Sequence, residues 1–128
     1  MKKKILIVSS NYYGEISKNL LNKAKNTLGN KFILKIVTVP GAFEIPLIIS
    51  RYIKNYHGAI ALGCIIKGQT PHFNFISQAI TNSLIDLSVA YKKPIGNGVL
   101  TCLNKKQARQ RYNKGKEAAK AVITVISL

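Results

Sequence analysis

Apolar positions along the chain alternate between short unbroken runs and helical stripes. Residues 4–9 form a first apolar run and read as a buried strand. Ile16, Leu20, Leu21, Ala24 and Leu28 then recur at helical spacing, with Gly29 placed to close that helix. A second strand is expected over residues 32–38, ended by Pro40-Gly41, and a helix over residues 45–54, where Pro46 is tolerable only in the first turn. Residues 58–66 are apolar throughout, as a central parallel strand should be. A long helix is expected over residues 71–91, with Ile76, Ile80, Leu84 and Leu87 on one face, and a fourth strand over residues 94–101. Asn104 can cap a short helix running to Arg111, and Asn113 a last helix with Ala118, Ala121, Val122 and Val125 on its apolar face. Four strands separated by helices predict an α/β fold in three αβα layers: a four-stranded parallel sheet with right-handed crossovers, covered on both faces.

Length and composition narrow this further. The chain has 128 residues, 47% of them hydrophobic, which suits one domain over residues 1–128 with a sizeable core. No apolar stretch is long enough to span a membrane. The basic start is followed by an apolar run, residues 5–8, that is too short for a signal peptide, so the sequence reads as cytoplasmic. Net charge is +16, from 20 basic and 4 acidic residues. That balance points to anionic partners. Against this, the 17 lysines are scattered along the chain, which suits solvated charge better than a nucleic-acid face. Cys64 and Cys102 stand 38 residues apart with no CxxC and read as buried thiols. Four carboxylates leave little for a hard-metal cage, so no metal is expected.

In such sheets ligands bind beyond the carboxyl ends of the strands. Those ends carry Ser10-Asn11-Tyr12-Tyr13-Gly14, Pro40-Gly41-Ala42-Phe43-Glu44, Lys67-Gly68-Gln69-Thr70-Pro71-His72 and Thr101-Cys102-Leu103-Asn104. They hold aromatics, one acid, one histidine, and glycines where the backbone could approach a ligand closely. Gly68-Gln69-Thr70 opens the long helix, where free amides and the helix dipole make an anion seat; an ordinary capped helix start is the alternative. His72 in the first turn can take and return a proton near neutrality, or be a surface histidine. Glu44 reads as a site acid or a helix-start carboxylate, and Tyr12 and Phe43 as ring-stacking or packing aromatics. His57, in a polar turn, is expected to be structural or solvent-facing.

Four stretches together, "VPGAFEIP", "ALGCIIKGQTPHFNF", "KPIGNGVLT" and "NKGKEAA", resemble lumazine synthases in order and spacing, from about residue 5 to the end. The resemblance implies a flavodoxin-like fold and a cofactor-free enzyme of riboflavin synthesis. Such an enzyme condenses 5-amino-6-(D-ribitylamino)uracil with 3,4-dihydroxy-2-butanone 4-phosphate to 6,7-dimethyl-8-ribityllumazine. It further implies that Tyr12 stacks on the pyrimidine, that Ala42, Phe43 and Glu44 hold the ribityl chain and ring, and that Ile65 and Ile66 lie beside the ring. By the same resemblance, Gly68, Gln69 and Thr70 hold the phosphate, and Arg111 pairs with it bidentately. His72 is the implied general acid/base, while Lys114 and Glu117 stand at the edge of the site.

Three departures are visible. The family's usual Arg-Phe-Asn after the first strand is Asn11-Tyr12-Tyr13, a frequent Phe in the fourth strand is Asn97, and the loop between the last two helices is short. In the family the wall carrying that Phe often comes from a neighbouring subunit, so Asn97 is included among the ring-pocket residues. The short loop, with a chain that begins almost at its first strand, leads us to expect a homopentamer rather than a sixty-subunit shell. Small-molecule substrates and further copies of the chain are the expected partners. A riboflavin synthase of the archaeal type, a flavin or lumazine carrier and a basic nucleic-acid-binding module are the competing readings.

Overall fold

A computed structural model of the chain describes residues 1–68 and 72–128. Four strands, β1 (Lys3–Ser10), β2 (Phe32–Val39), β3 (Gly58–Ile66) and β4 (Ile95–Cys102), pair in parallel in the order β2-β1-β3-β4. Five helices alternate with them: α1 (Gly14–Leu28), α2 (Ile45–Tyr52), α3 (His72–Tyr91), α4 (Lys105–Arg109) and α5 (Asn113–Ile126). This is the three-layer α/β arrangement that the alternation of runs and stripes predicts, in the flavodoxin-like form that the family resemblance implies.

Strand alternation divides the core in two. Ile5, Ile7, Ile60, Leu62, Cys64, Leu100 and Cys102 face α1 and α5, where they meet Ile16, Leu20, Ala24, Ala118, Ala119 and Val122. Leu6, Val8, Ala59, Ala61 and Val99 face α2 and α3, where they meet Ile45, Ile49, Ile80 and Leu84. Strands β1 and β3 are buried on both faces, which is why they read as unbroken apolar runs.

Several local expectations need correction. Helix α2 stops at Tyr52, and single 3-10 turns precede and follow it, Ala42–Glu44 and Ile53–Asn55. Asn113 is the first residue of α5 rather than its cap, and Tyr112 holds the cap position. The buried face of α5 is Gly115, Ala118, Ala119 and Val122, whereas Ala121 and Val125 are exposed. The reason is steric. Gly115 packs so closely on Leu20 of α1, and Gly96 on Ala118, that the helix is pinned with its small residues inward. Helix α4 stops at Arg109 rather than Arg111, and Pro71, the expected first residue of the long helix, lies outside the described residues. Asn104 Oδ1 accepts from the Gln107 amide at 2.9 Å and caps α4, and Gly29 closes α1. His57 is exposed and structural: its Nδ1 accepts from the Lys4 amide at 2.9 Å, and its own amide donates to the Lys4 carbonyl at 2.8 Å, extending the β1–β3 ladder.

Candidate active site

The chain leaves β1 toward β2 on one side and reaches β3 on the other, so the strand order reverses between β1 and β3. Crevices form at such reversals, outside the carboxyl ends of the strands. A cavity of ≈ 340 Å³ lies there, lined by Tyr12 and Tyr13 after β1, Gly41, Ala42 and Phe43 before α2, Cys64, Ile65 and Ile66 of β3, and Ile76 of α3. Two of its aromatics are unusually open: Tyr12 is 69% exposed and Phe43 67%. Apolar walls with exposed rings suit a flat heteroaromatic ligand.

Glu44 closes the 3-10 turn beside this cavity. Its Oε1 accepts from the Gly41 amide at 3.0 Å, so the helix-start role is realised and one carboxylate oxygen is engaged. His72 is exposed as the first residue of α3. Gly68 is also exposed, and a side chain there would meet nothing within 4 Å among the described residues. Gln69 and Thr70, the other two residues of the expected phosphate seat, lie outside the described residues.

The remaining expected residues gather elsewhere. A second cavity, ≈ 460 Å³, lies along β4 and the α4–α5 junction; Asn97, Arg111, Lys114 and Glu117 line it together with Thr81, Val99, Leu100, Thr101, Gln110 and Asn113. Among the described residues the two share no lining residue. Strand β4 is an edge strand, and its Pro94 and Cys102 carbonyls accept from Ala59 and Lys67, so its even-numbered backbone groups face β3 and its odd-numbered ones face outward. Asn97 Oδ1 accepts from one of those outward amides, Val99, at 3.0 Å. Arg111 follows α4 and directs Nη1 at Cys102 Sγ, 3.9 Å away, the one side-chain hydrogen bond it makes among the described residues.

Among the described residues the one ion pair is Arg109 with Glu15, at 4.0 Å between exposed side chains. Burial, and then the neighbouring Cys102 thiol, push the Cys64 thiol up to about 12, so it lines the first cavity as a neutral group. Burial, reinforced by Tyr12 and Cys64, also raises the Tyr13 phenol. Both cysteines are free and buried, as expected, and among the described residues no three His, Cys, Asp or Glu gather to hold a metal.

Residues 2–128 match the family model described as 6,7-dimethyl-8-ribityllumazine synthase. The chain belongs to that family. It is 42% identical to the 6,7-dimethyl-8-ribityllumazine synthase of Bartonella bacilliformis over 134 residues, covering 97% of this chain and 88% of that protein. It is similarly 42% identical to the Bartonella henselae enzyme of the same name, with 97% and 86% covered. Identity to the Agrobacterium fabrum enzyme is 38%, with 99% and 95% covered. In this lumazine synthase family chain, then, Tyr12, Ala42, Phe43, Ile65 and Ile66 line an aromatic crevice at β1/β3 and Asn97, Arg111, Lys114 and Glu117 a cationic cavity along β4, while Glu44, Gly68 and His72 are not among the lining residues of either. Cys64 and Ile76 in the first, and Thr81, Thr101, Gln110 and Asn113 in the second, are not among the residues expected at the site, and neither is Tyr13, which stands out in sequence as a departure from the family pattern. Only Tyr13 carried a signal, as the second member of a tyrosine doublet directly after a strand.

Proposed function

We propose that the protein condenses 5-amino-6-(D-ribitylamino)uracil with 3,4-dihydroxy-2-butanone 4-phosphate, giving 6,7-dimethyl-8-ribityllumazine and releasing phosphate and water. The observation that carries this is the family match across residues 2–128, which takes in every strand end. The pyrimidine lies in the β1/β3 crevice between Tyr12 and Phe43, beside Ile65 and Ile66, with Ala42 and Glu44 toward the ribityl chain. The 5-amino group of the uracil attacks the ketone and a first water leaves to give an imine, elimination of phosphate gives an enol that tautomerises to a new ketone, and ring closure of the ribitylamino nitrogen onto it expels a second water. Each step moves protons, and His72 is the group assigned to carry them. Gly68, Gln69 and Thr70 seat the phosphate, and Arg111 clamps it. Much of the acceleration comes from holding two substrates together, worth up to about 7–11 kcal/mol in favourable cases.

One centre must contain both His72 and Arg111, yet the two groups of residues open separately on a single chain. A neighbouring copy that lays its β4 cavity against this crevice would unite them, bringing Asn97, Lys114 and Glu117 to the ring's far side. One feature favours self-association: α3 exposes Phe75, Ile85 and Val89. The proposed assembly is a homopentamer of single-domain chains acting in the cytoplasm, with the sixty-subunit shell as the alternative. The test is turnover: purified protein is mixed with both substrates and lumazine fluorescence followed above the uncatalysed background. Absence of turnover by a folded, assembled protein overturns the reading.

A further inference from the structure

Tyr12 and Tyr13 are consecutive residues whose rings stack, with centroids 4.9 Å apart and planes 7° apart. Successive side chains of an extended strand point to opposite sides, so this stack requires the turn that follows β1 at Ser10. The spacing suits an offset parallel stack.

The two rings are held unequally. Tyr12 stands in solvent at the mouth of the crevice. Tyr13 is half-buried, packs against the core between the sheet, α1 and α5, and has the Lys105 ammonium 5.8 Å from its ring centroid. A column of contacts thus links Lys105 to Tyr13 and Tyr13 to Tyr12, anchored at the Tyr13 end. An exposed ring in a turn must otherwise be ordered by its ligand, and that ordering weakens binding.

We propose that Tyr13 is a positioning residue for the heteroaromatic substrate: stacked on Tyr12 and anchored by the core and Lys105, it fixes Tyr12 as a preorganised wall of the ring slot. This rests on the reading of Tyr12 as a ring wall, and the experiment separates the two. Steady-state kinetics would compare wild type with Tyr13→Phe, Tyr13→Leu, Tyr12→Ala and the Tyr12→Ala/Tyr13→Leu double variant, varying each substrate in turn. Tyr13→Leu should raise KM for the ribitylaminouracil roughly 2- to 13-fold, the worth of an aromatic pair, and leave KM for the butanone phosphate unchanged. Tyr13→Phe, which keeps the stack, should behave as wild type. Once Tyr12 is Ala, Tyr13→Leu should add nothing. A purely structural role for Tyr13 would move both KM values and add in either background, which overturns the proposal. If Tyr12→Ala raises the uracil KM and Tyr13→Leu does not, the proposal falls while the ring-wall reading stands; if Tyr12→Ala changes nothing, both fall. Should Tyr13→Leu fail to fold, Lys105→Met tests the column from the surface. A rise of roughly 2- to 5-fold in the same KM supports the proposal, and no change overturns it.

Discussion

The Leu20 carbonyl of α1 lies directly against the Cα of Gly115 in α5, leaving no room there for a side chain. This contact sets how deeply α5 sits and therefore where the α4–α5 junction, with Arg111 and Lys114, meets β4. Alanine is ordinarily the better helix residue, by about 1 kcal/mol over glycine. Here the sign should reverse: Gly115→Ala is expected to cost about 1–3 kcal/mol through overpacking, read as a lowered denaturation midpoint. A stabilised variant would mean that α1 and α5 can separate freely.

Replacing His72 should leave the fold intact, because the residue is exposed at a helix start. His72→Ala is expected to lower kcat about 10²–10⁴-fold, with unchanged circular dichroism and assembly. Loss confined to KM would remove His72 from the proton-transfer role.

Arg111→Lys keeps the charge but loses the planar fork. The expected result is weaker binding of the butanone phosphate, by about 1.5–3 kcal/mol at most, with little change for the uracil substrate. Inhibition by inorganic phosphate should weaken in parallel, which gives a readout independent of turnover.

Cys64 makes stability depend on alkaline pH. Its thiol is raised from 9.0 to about 12 by burial and by Cys102. Above the ordinary thiol value the unfolded chain releases this proton and the folded chain holds it, so the stability is intact below pH 9 and is lost as pH rises from there toward 12. Chemical denaturation across that range should show a steeper fall for wild type than for Cys64→Val. Equal slopes would show that the thiol does not report on folding.

Assembly should respond to salt. A chain carrying +16 repels its own copies, and lowering ionic strength lengthens the reach of that repulsion. Native mass spectrometry and light scattering are expected to show smaller particles at low salt than at physiological salt, and no dependence would show that the charges are neutralised locally.

Much of this protein is written plainly in its sequence. The unbroken apolar run of β3 marks a central strand, and Asn104 announces α4 through its cap. The phase of α5 was harder to read. Ala118, Ala119, Ala121, Val122 and Val125 are apolar on several sides, and the close contacts of Gly115 with Leu20 and of Gly96 with Ala118 select the inward face. Likewise the strand-end residues can be collected from sequence, but their partition between two cavities cannot. Whether Arg111 sits beside Tyr12 or beside Asn97 depends on how far α4 and α5 wrap around β4, a tertiary distance with no local signature.

The small hydrogen bond from Val99 to Asn97 has a bearing on solubility. An open strand edge is a template on which any stray extended peptide can grow the sheet by one more row. At Asn97 the side-chain amide folds back and occupies a donor that an incoming strand would need, so the lattice of backbone bonds is interrupted midway along the row. The sheet thus ends at its fourth strand while the side chains beside that edge stay free for a ligand.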